Sequence, residues 1–178
     1  MSERLRTIGV AIAIPEPHGT ELQDWREHFG DPLARSIPTH VTLLPPTQVA
    51  VADLPAIEEH LRSIAAAGAP FDILLRGTGT FRPASPVVFV TLAEGISDCE
   101  FLERAARSGP LGHRELEFVY HPHVTVAHDI PDEALSHAFE KLAQYEARFS
   151  VWGFSLYEHG ADGVWRPNID FSFGPSAR

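Results

Sequence analysis

Two short stretches of this chain carry the residue types best suited to chemistry: Ile37-Pro38-Thr39-His40-Val41-Thr42-Leu43 and Tyr120-His121-Pro122-His123-Val124-Thr125-Val126. Each is a His-Val-Thr step inside an apolar, β-branched run with a proline just upstream, the pattern of a strand entered from a turn. Strand residues alternate between faces. His40 and Thr42 therefore share one side and Val41 and Leu43 the other, and His123 and Thr125 are set against Val124 and Val126 in the same way. A single His-x-Thr carries little information. The second copy, with the same valine, proline and strand setting, makes the pair informative.

Two imidazoles facing one another across a cleft suit the cleavage of a phosphate ester. Imidazole titrates near neutral pH, so one ring can take a proton while the other gives one. A threonine hydroxyl two residues along each strand lies beside its histidine and can donate to a non-bridging phosphate oxygen, where charge must be held in the transition state. No nucleophilic side chain is required, because water or a neighbouring ribose hydroxyl can attack in line.

The elements that must position these residues read as a repeated order. Ile8, Val10, Ile12 and Ile14 alternate with small residues as a strand. A helix from Thr20, with Gln23 completing a capping box and Trp25 in the core, runs to Gly30. The first motif strand is expected to end at Pro45-Pro46, since two prolines cannot continue a ladder. Asp53 caps a second helix over Leu54, Ile57, Leu61 and Ile64, and a long strand follows from Phe71. Beyond Arg82-Pro83-Ala84-Ser85-Pro86, the expected junction, the order repeats. It runs through a strand from Val87 to Leu92, a helix with a Ser97/Glu100 capping box and Phe101 facing inward, the second motif strand, and a helix opened by Pro131. Two last strands span Phe149 to Tyr157 and Trp165 to Phe173. The expected organisation is one domain over 1–178, with lobe 1 over about 1–82 and lobe 2 over about 86–178. An approximate two-fold relation between the lobes would bring His40 and His123 together.

The doubled motif, Pro-x-His-Val-Thr-Leu and then His-Pro-His-Val-Thr-Val, resembles that of the 2H phosphoesterase superfamily, close to its 2'-5' RNA ligase and cyclic phosphodiesterase branch. The stretch between the motifs is similar too, with Phe71 to Leu75, Gly77-Thr78-Gly79-Thr80-Phe81 and Val87 to Val90. The resemblance implies an α+β fold of two lobes, built from duplicated β-α-β-α-β units with antiparallel sheets around a central cleft. It also implies a hydrolase that opens cyclic phosphodiesters without a metal or other cofactor, with 2'-5' RNA ligation as the reverse reaction. His40 and His123 would be catalytic and Thr42 and Thr125 would hold phosphate; apart from the resemblance, Tyr120, Phe81 and Trp165 are aromatics that could stack on a base, although an aromatic on a strand more often serves packing. One departure is His128, where an arginine-like residue often follows the second motif.

Composition narrows the partners. The 178 residues include 14 Lys and Arg against 24 Asp and Glu, a formal charge of −10. That balance argues against a surface that grips long nucleic acid through many phosphates, and leaves a small cyclic phosphodiester or an RNA end as the expected partner. One cysteine, Cys99, excludes an intrachain disulfide. The apolar run from Ile8 to Ile14 is too short to span a membrane. The expectation is a cytoplasmic monomer. Two competing readings stand beside the enzyme. One is a metal hydrolase drawing on His40, His121, His123 and His128, although no His-Glu-x-x-His helix is present and the paired threonines would go unexplained. The other is a non-catalytic binder of nucleotides or RNA ends, since a fold alone never settles activity.

Overall fold

The structure, a computed structural model, describes residues 3–175. Its elements follow the repeated order: β1 (Leu5–Ala13), α1 (His18–His28), β2 (His40–Ala50), α2 (Leu54–Ala67) and β3 (Phe71–Thr80), then β4 (Val87–Glu94), α3 (Ile96–Ala106), β5 (His123–His128), α4 (Asp132–Lys141) and β6 (Glu146–Val151). A closing pair, β7 (Gly153–His159) and β8 (Trp165–Ser172), completes the chain. The strands form two antiparallel four-stranded sheets, ordered β2-β1-β7-β8 and β5-β4-β3-β6. This is the α+β fold of duplicated β-α-β-α-β units around a cleft.

The sheets do not follow the division of the chain at Arg82–Pro86. β3 from the first half pairs with β4, and β7 from the second half pairs with β1, so each half lends a strand to the other's sheet. The expected lobes of 1–82 and 86–178 are thus interleaved, and Arg82–Pro86 links two neighbouring strands of one sheet. The helices cross over as well. α1 packs on β5 of the opposite sheet, while α3 packs on β2. Ring and cation contacts tie α1 to α4, with Lys141 over Trp25 and Phe29 edge-on to His137. α2 and α3 lie together, joined where the His60 imidazole donates to the Ala105 carbonyl. One continuous hydrophobic cluster runs through both sheets.

Several local expectations are corrected. β2 does not stop at Pro45-Pro46 but continues to Ala50. The register with β1 slips between Ile8/Thr47 and Val10/Leu44, so the prolines sit in a bulge opposite Gly9. An edge strand tolerates this because one side of it makes no ladder. The strand expected from Phe149 to Tyr157 breaks at Trp152, and its two parts belong to different sheets. Gly153 sits at the crossing, where a Cβ would lie 2.1 Å from the Phe171 carbonyl oxygen, so only glycine fits against β8. The capping boxes do not form. The Glu16 carboxylate instead accepts from the Thr20 amide and hydroxyl at the start of α1. Gly95, at φ 91°, precedes α3 without a side-chain cap, and Asp53 makes no cap bond to α2. Trp25 is half-buried and stacked on Phe29. Phe101 is exposed, and α3 buries Cys99, Leu102, Glu103 and Ala106 instead.

The motif strands have strongly specified registers. Val41, Val124 and Val126 are fully buried, and burial of each such side chain contributes about 1.5–3 kcal/mol. A slip of one residue would expose them and drive His40 or His123 into the core. The apolar face of each motif thus holds the polar face toward the cleft.

Candidate active site

β2 and β5 are edge strands of their respective sheets, and they run against one another across the cleft. The two histidines are held in the same way. His40 Nδ1 lies 2.7 Å from the Pro38 carbonyl oxygen and His123 Nδ1 lies 2.6 Å from that of His121. A carbonyl only accepts, so each Nδ1 carries the proton and each Nε2 is left with its lone pair. Thr42 Oγ1 is 3.1 Å from His40 Nε2 and donates to it. Thr125 shares the strand face of His123 and is half-buried.

Of the aromatic candidates, Tyr120 and Phe81 are engaged within the protein. The Tyr120 hydroxyl donates to the Thr42 carbonyl oxygen at 2.7 Å, tying the approach to β5 onto β2. Burial pushes the Tyr120 phenol far up from its ordinary value. Phe81 packs on Phe89 with centroids 4.5 Å apart and meets the His123 ring edge-on at 4.9 Å. Both residues are partly buried, and these contacts help to hold the site in shape. His121 lies 6.1 Å from His123, ring to ring, while His128 is used through its backbone amide, which donates to Asp31. Among the described residues no three His, Cys, Asp or Glu side chains are placed to share a metal ion.

The electrostatics favour neutral imidazoles in the free protein. Burial, with Arg26 and His123 nearby, lowers His40 from 6.5 to about 4. Burial also lowers His123, while His121 adds a repulsive charge. The consequence for stability has a definite sign. Between pH 4 and 6.5 the unfolded chain binds a proton at His40 that the folded chain refuses, so stability is full above about pH 6.5 and falls as the pH drops toward 4. The shift corresponds to about 3 kcal/mol at His40. Thermal unfolding of wild type and His40→Gln across this range checks it: the variant should lose less stability on acidification.

Sequence reasoning missed a buried ion pair beside the site. Arg26 and Asp31 are each 5% exposed, with Nε to Oδ2 at 2.7 Å. Asp31 also accepts from the Leu33 amide at 2.8 Å and from the His128 amide at 2.9 Å. The pair therefore joins α1 and its following turn to the end of β5, and it places a guanidinium charge near His40. A signal was available. Leu22, Arg26 and Phe29 fall at i, i+4 and i+7, which puts a charge on the buried face of α1.

Comparison with known proteins places this geometry in a family. A Geobacillus kaustophilus protein named "Putative phosphoesterase" is 26% identical over 168 residues, covering 93% of this chain and 95% of that protein. A Bacillus cytotoxicus protein of the same description is 30% identical over 150 residues, covering 83% and 86%. Among solved structures, E. coli LigT complexed with 3'-AMP superposes with a TM-score of 0.67 at 19% identity, over 96% of this chain and 99% of that one. A Thermus thermophilus protein gives 0.66 at 22% identity, over 96% and 100%. These two share the fold. Residues 14–163, which include both His-Val-Thr motifs, match the family described as the 2'-5' RNA ligase superfamily, and the chain belongs to that family.

Proposed function

We propose that this protein is a phosphodiesterase that opens cyclic phosphodiesters, above all 2',3'-cyclic phosphates of nucleotides or RNA ends. One observation carries the reading. Two imidazoles on facing edge strands are each pinned through Nδ1 to a backbone carbonyl, and each has a threonine two residues further along the same strand. That fixes both rings with Nε2 available, which is what an acid and a base acting on one phosphorus require. E. coli LigT, which has this fold, has been crystallised with 3'-AMP, phosphate, NADP+ and ATP, so the fold accepts nucleoside phosphates.

In the forward direction one Nε2 takes a proton from water as its oxygen bonds to phosphorus. The other, protonated, gives its proton to the ribose oxygen as the P–O bond breaks. Thr42 and Thr125 donate to the non-bridging oxygens, from hydroxyls already in place. Thr42 first exchanges its bond to His40 for one to phosphate. With a ribose hydroxyl in place of water, the same base takes the proton of that hydroxyl as its oxygen bonds to phosphorus and the same acid protonates the departing ribose oxygen, which is 2'-5' ligation without a nucleotide cofactor.

The threonines provide the test. Thr42→Ala and Thr125→Ala should each lower kcat on a 2',3'-cyclic nucleotide by about 10²- to 10³-fold, as for loss of one oxyanion donor. Turnover measured with and without chelator separates this reading from metal chemistry: loss to chelator and recovery with zinc would overturn it. Tight binding of cyclic nucleotides with no turnover in wild type would make the protein a binder.

A further inference from the structure

The chain between α3 and β5 is held to the first sheet at two points and free between them. Arg114 donates to the Thr47 hydroxyl, and further on the Tyr120 hydroxyl donates to the Thr42 carbonyl oxygen at 2.7 Å. Both anchors lie on β2, the strand that carries His40 and Thr42 and has a neighbour on one side only. Residues 115–119 belong to no helix or strand and make no hydrogen bond among the described residues. They form a strap. Glu115, Leu116, Glu117, Phe118 and Val119 are all exposed along it. An extended chain covers at most about 3.6 Å per residue, so Glu117 stays within about 11 Å of Tyr120 and hence beside the mouth of the cleft. The nine ion pairs of the described residues use nine arginines and neither of these glutamates. Of the remaining described cations, Arg4 lies at the end of β1 farthest from His40, Arg104 on α3 and Lys141 over Trp25. Only Arg114, at the first anchor, adjoins the strap, which leaves the two together one charge negative. The open part of the cleft, on the His40 side, is lined by Gly9, Leu44, Pro46, Tyr157 and Trp165 among others, and by no Asp, Glu, Lys or Arg.

We propose that the strap makes this protein selective for substrates with a single phosphate, cyclic mononucleotides and smaller cyclic phosphodiesters, and that Glu115 and Glu117 turn away the ends of RNA chains. The inference rests on the phosphodiesterase reading, which sets the cyclic phosphate between the motifs. An RNA end brings further phosphates into the same neighbourhood, one for each nucleotide. Proteins that hold single strands line the path of the backbone with cations, and no such line leads away from this cleft. In water, a carboxylate about 10 Å from a phosphate weakens binding by about twofold before salt screens it, so two carboxylates acting on two or three phosphates amount to a factor of about 10 to 60. A cyclic mononucleotide has one phosphate, already met by the threonine hydroxyls, and loses little. Ligation of RNA needs two chain ends at once, so the strap disfavours it twice over.

The experiment compares wild type with the double variant Glu115→Gln, Glu117→Gln on 2',3'-cyclic AMP and on a single-stranded hexanucleotide that ends in a 2',3'-cyclic phosphate. At about 10 mM salt, where charges act over about 30 Å, wild type should favour the mononucleotide in kcat/KM. The double variant should gain about 5- to 50-fold on the hexanucleotide, while its rate on cyclic AMP stays within about threefold of wild type. At about 0.15 M salt, where that reach falls to about 8 Å, the gain should shrink to about threefold or less. Two results would overturn the proposal: wild type that turns over both compounds equally well at low salt, or a preference that neither the variant nor salt alters, which marks exclusion by shape. Calorimetry of 3'-AMP against a hexanucleotide bearing a 3'-phosphate needs no turnover. If nothing is hydrolysed yet the double variant gains affinity for the hexanucleotide alone, the catalytic reading fails and the role of the strap stands. If cyclic AMP is hydrolysed and the variant gains nothing on the hexanucleotide, the strap has no such role and the catalytic reading stands.

Discussion

Alanine in place of His40 or of His123 should each lower turnover of a 2',3'-cyclic nucleotide by about 10²- to 10⁴-fold, the range for loss of a positioned acid or base. Each ring is held by one Nδ1–H bond to a carbonyl two residues upstream. Alanine therefore removes the proton carrier while the register-setting valines beside it stay buried. The double variant should be little worse than either single one, because an acid without its base partner completes no cycle. Steady-state kinetics with circular dichroism on the same preparations provide the measurement. Full activity in either single variant would remove that histidine from the mechanism. Additive losses would show two groups acting independently rather than as a pair.

The second large effect is on stability. Asp31→Ala should destabilise the fold by about 3–5 kcal/mol, since it leaves the Arg26 guanidinium buried and unpaired. It also removes the acceptor for the His128 and Leu33 amides. Arg26→Met should cost less, because it replaces a buried cation with an apolar chain of similar length and leaves Asp31 its two amide donors. Urea unfolding of the two variants checks the order, and equal losses would contradict it. The same variant reports on the site. With the Arg26 charge gone, one of the influences that lowers His40 is removed, so the imidazole pKa followed by NMR should rise above about 4. An unchanged value would mean that the Arg26 charge has no part in setting it.

How much of this was legible in advance depends on whether the information is local. The His-Val-Thr steps, the faces they present and the order of strands and helices follow from alternation, turn residues and helical spacing, all of which act within a few residues. The structure agrees with them except that the single strand expected from Phe149 to Tyr157 is two, and the family resemblance carried by the same two motifs agrees with the match over residues 14–163. The interleaving of the two halves was not legible. Nothing in Phe71–Thr80 states that its partner is β4, and nothing in Gly153–His159 states that its partner is β1, since any antiparallel neighbour satisfies a strand's backbone equally well.

The same limit explains the particular misses. Pro45-Pro46 breaks a ladder only where both edges of the strand are paired, and β2 is an edge strand. Trp152-Gly153 looks like the interior of one strand until β8 crosses close enough to exclude a Cβ. Arg26 falls on the apolar face of α1 by spacing alone, but its partner is not readable until the turn at Asp31 folds back beneath it and β5 arrives from the other sheet. The amino-acid order by itself determined the reactive groups and the strand faces that display them, because side-chain alternation is a property of one strand. Tertiary structure alone decided which edges meet, how far each imidazole is buried and which side of the cleft stays open, because those depend on residues distant in sequence competing for one core.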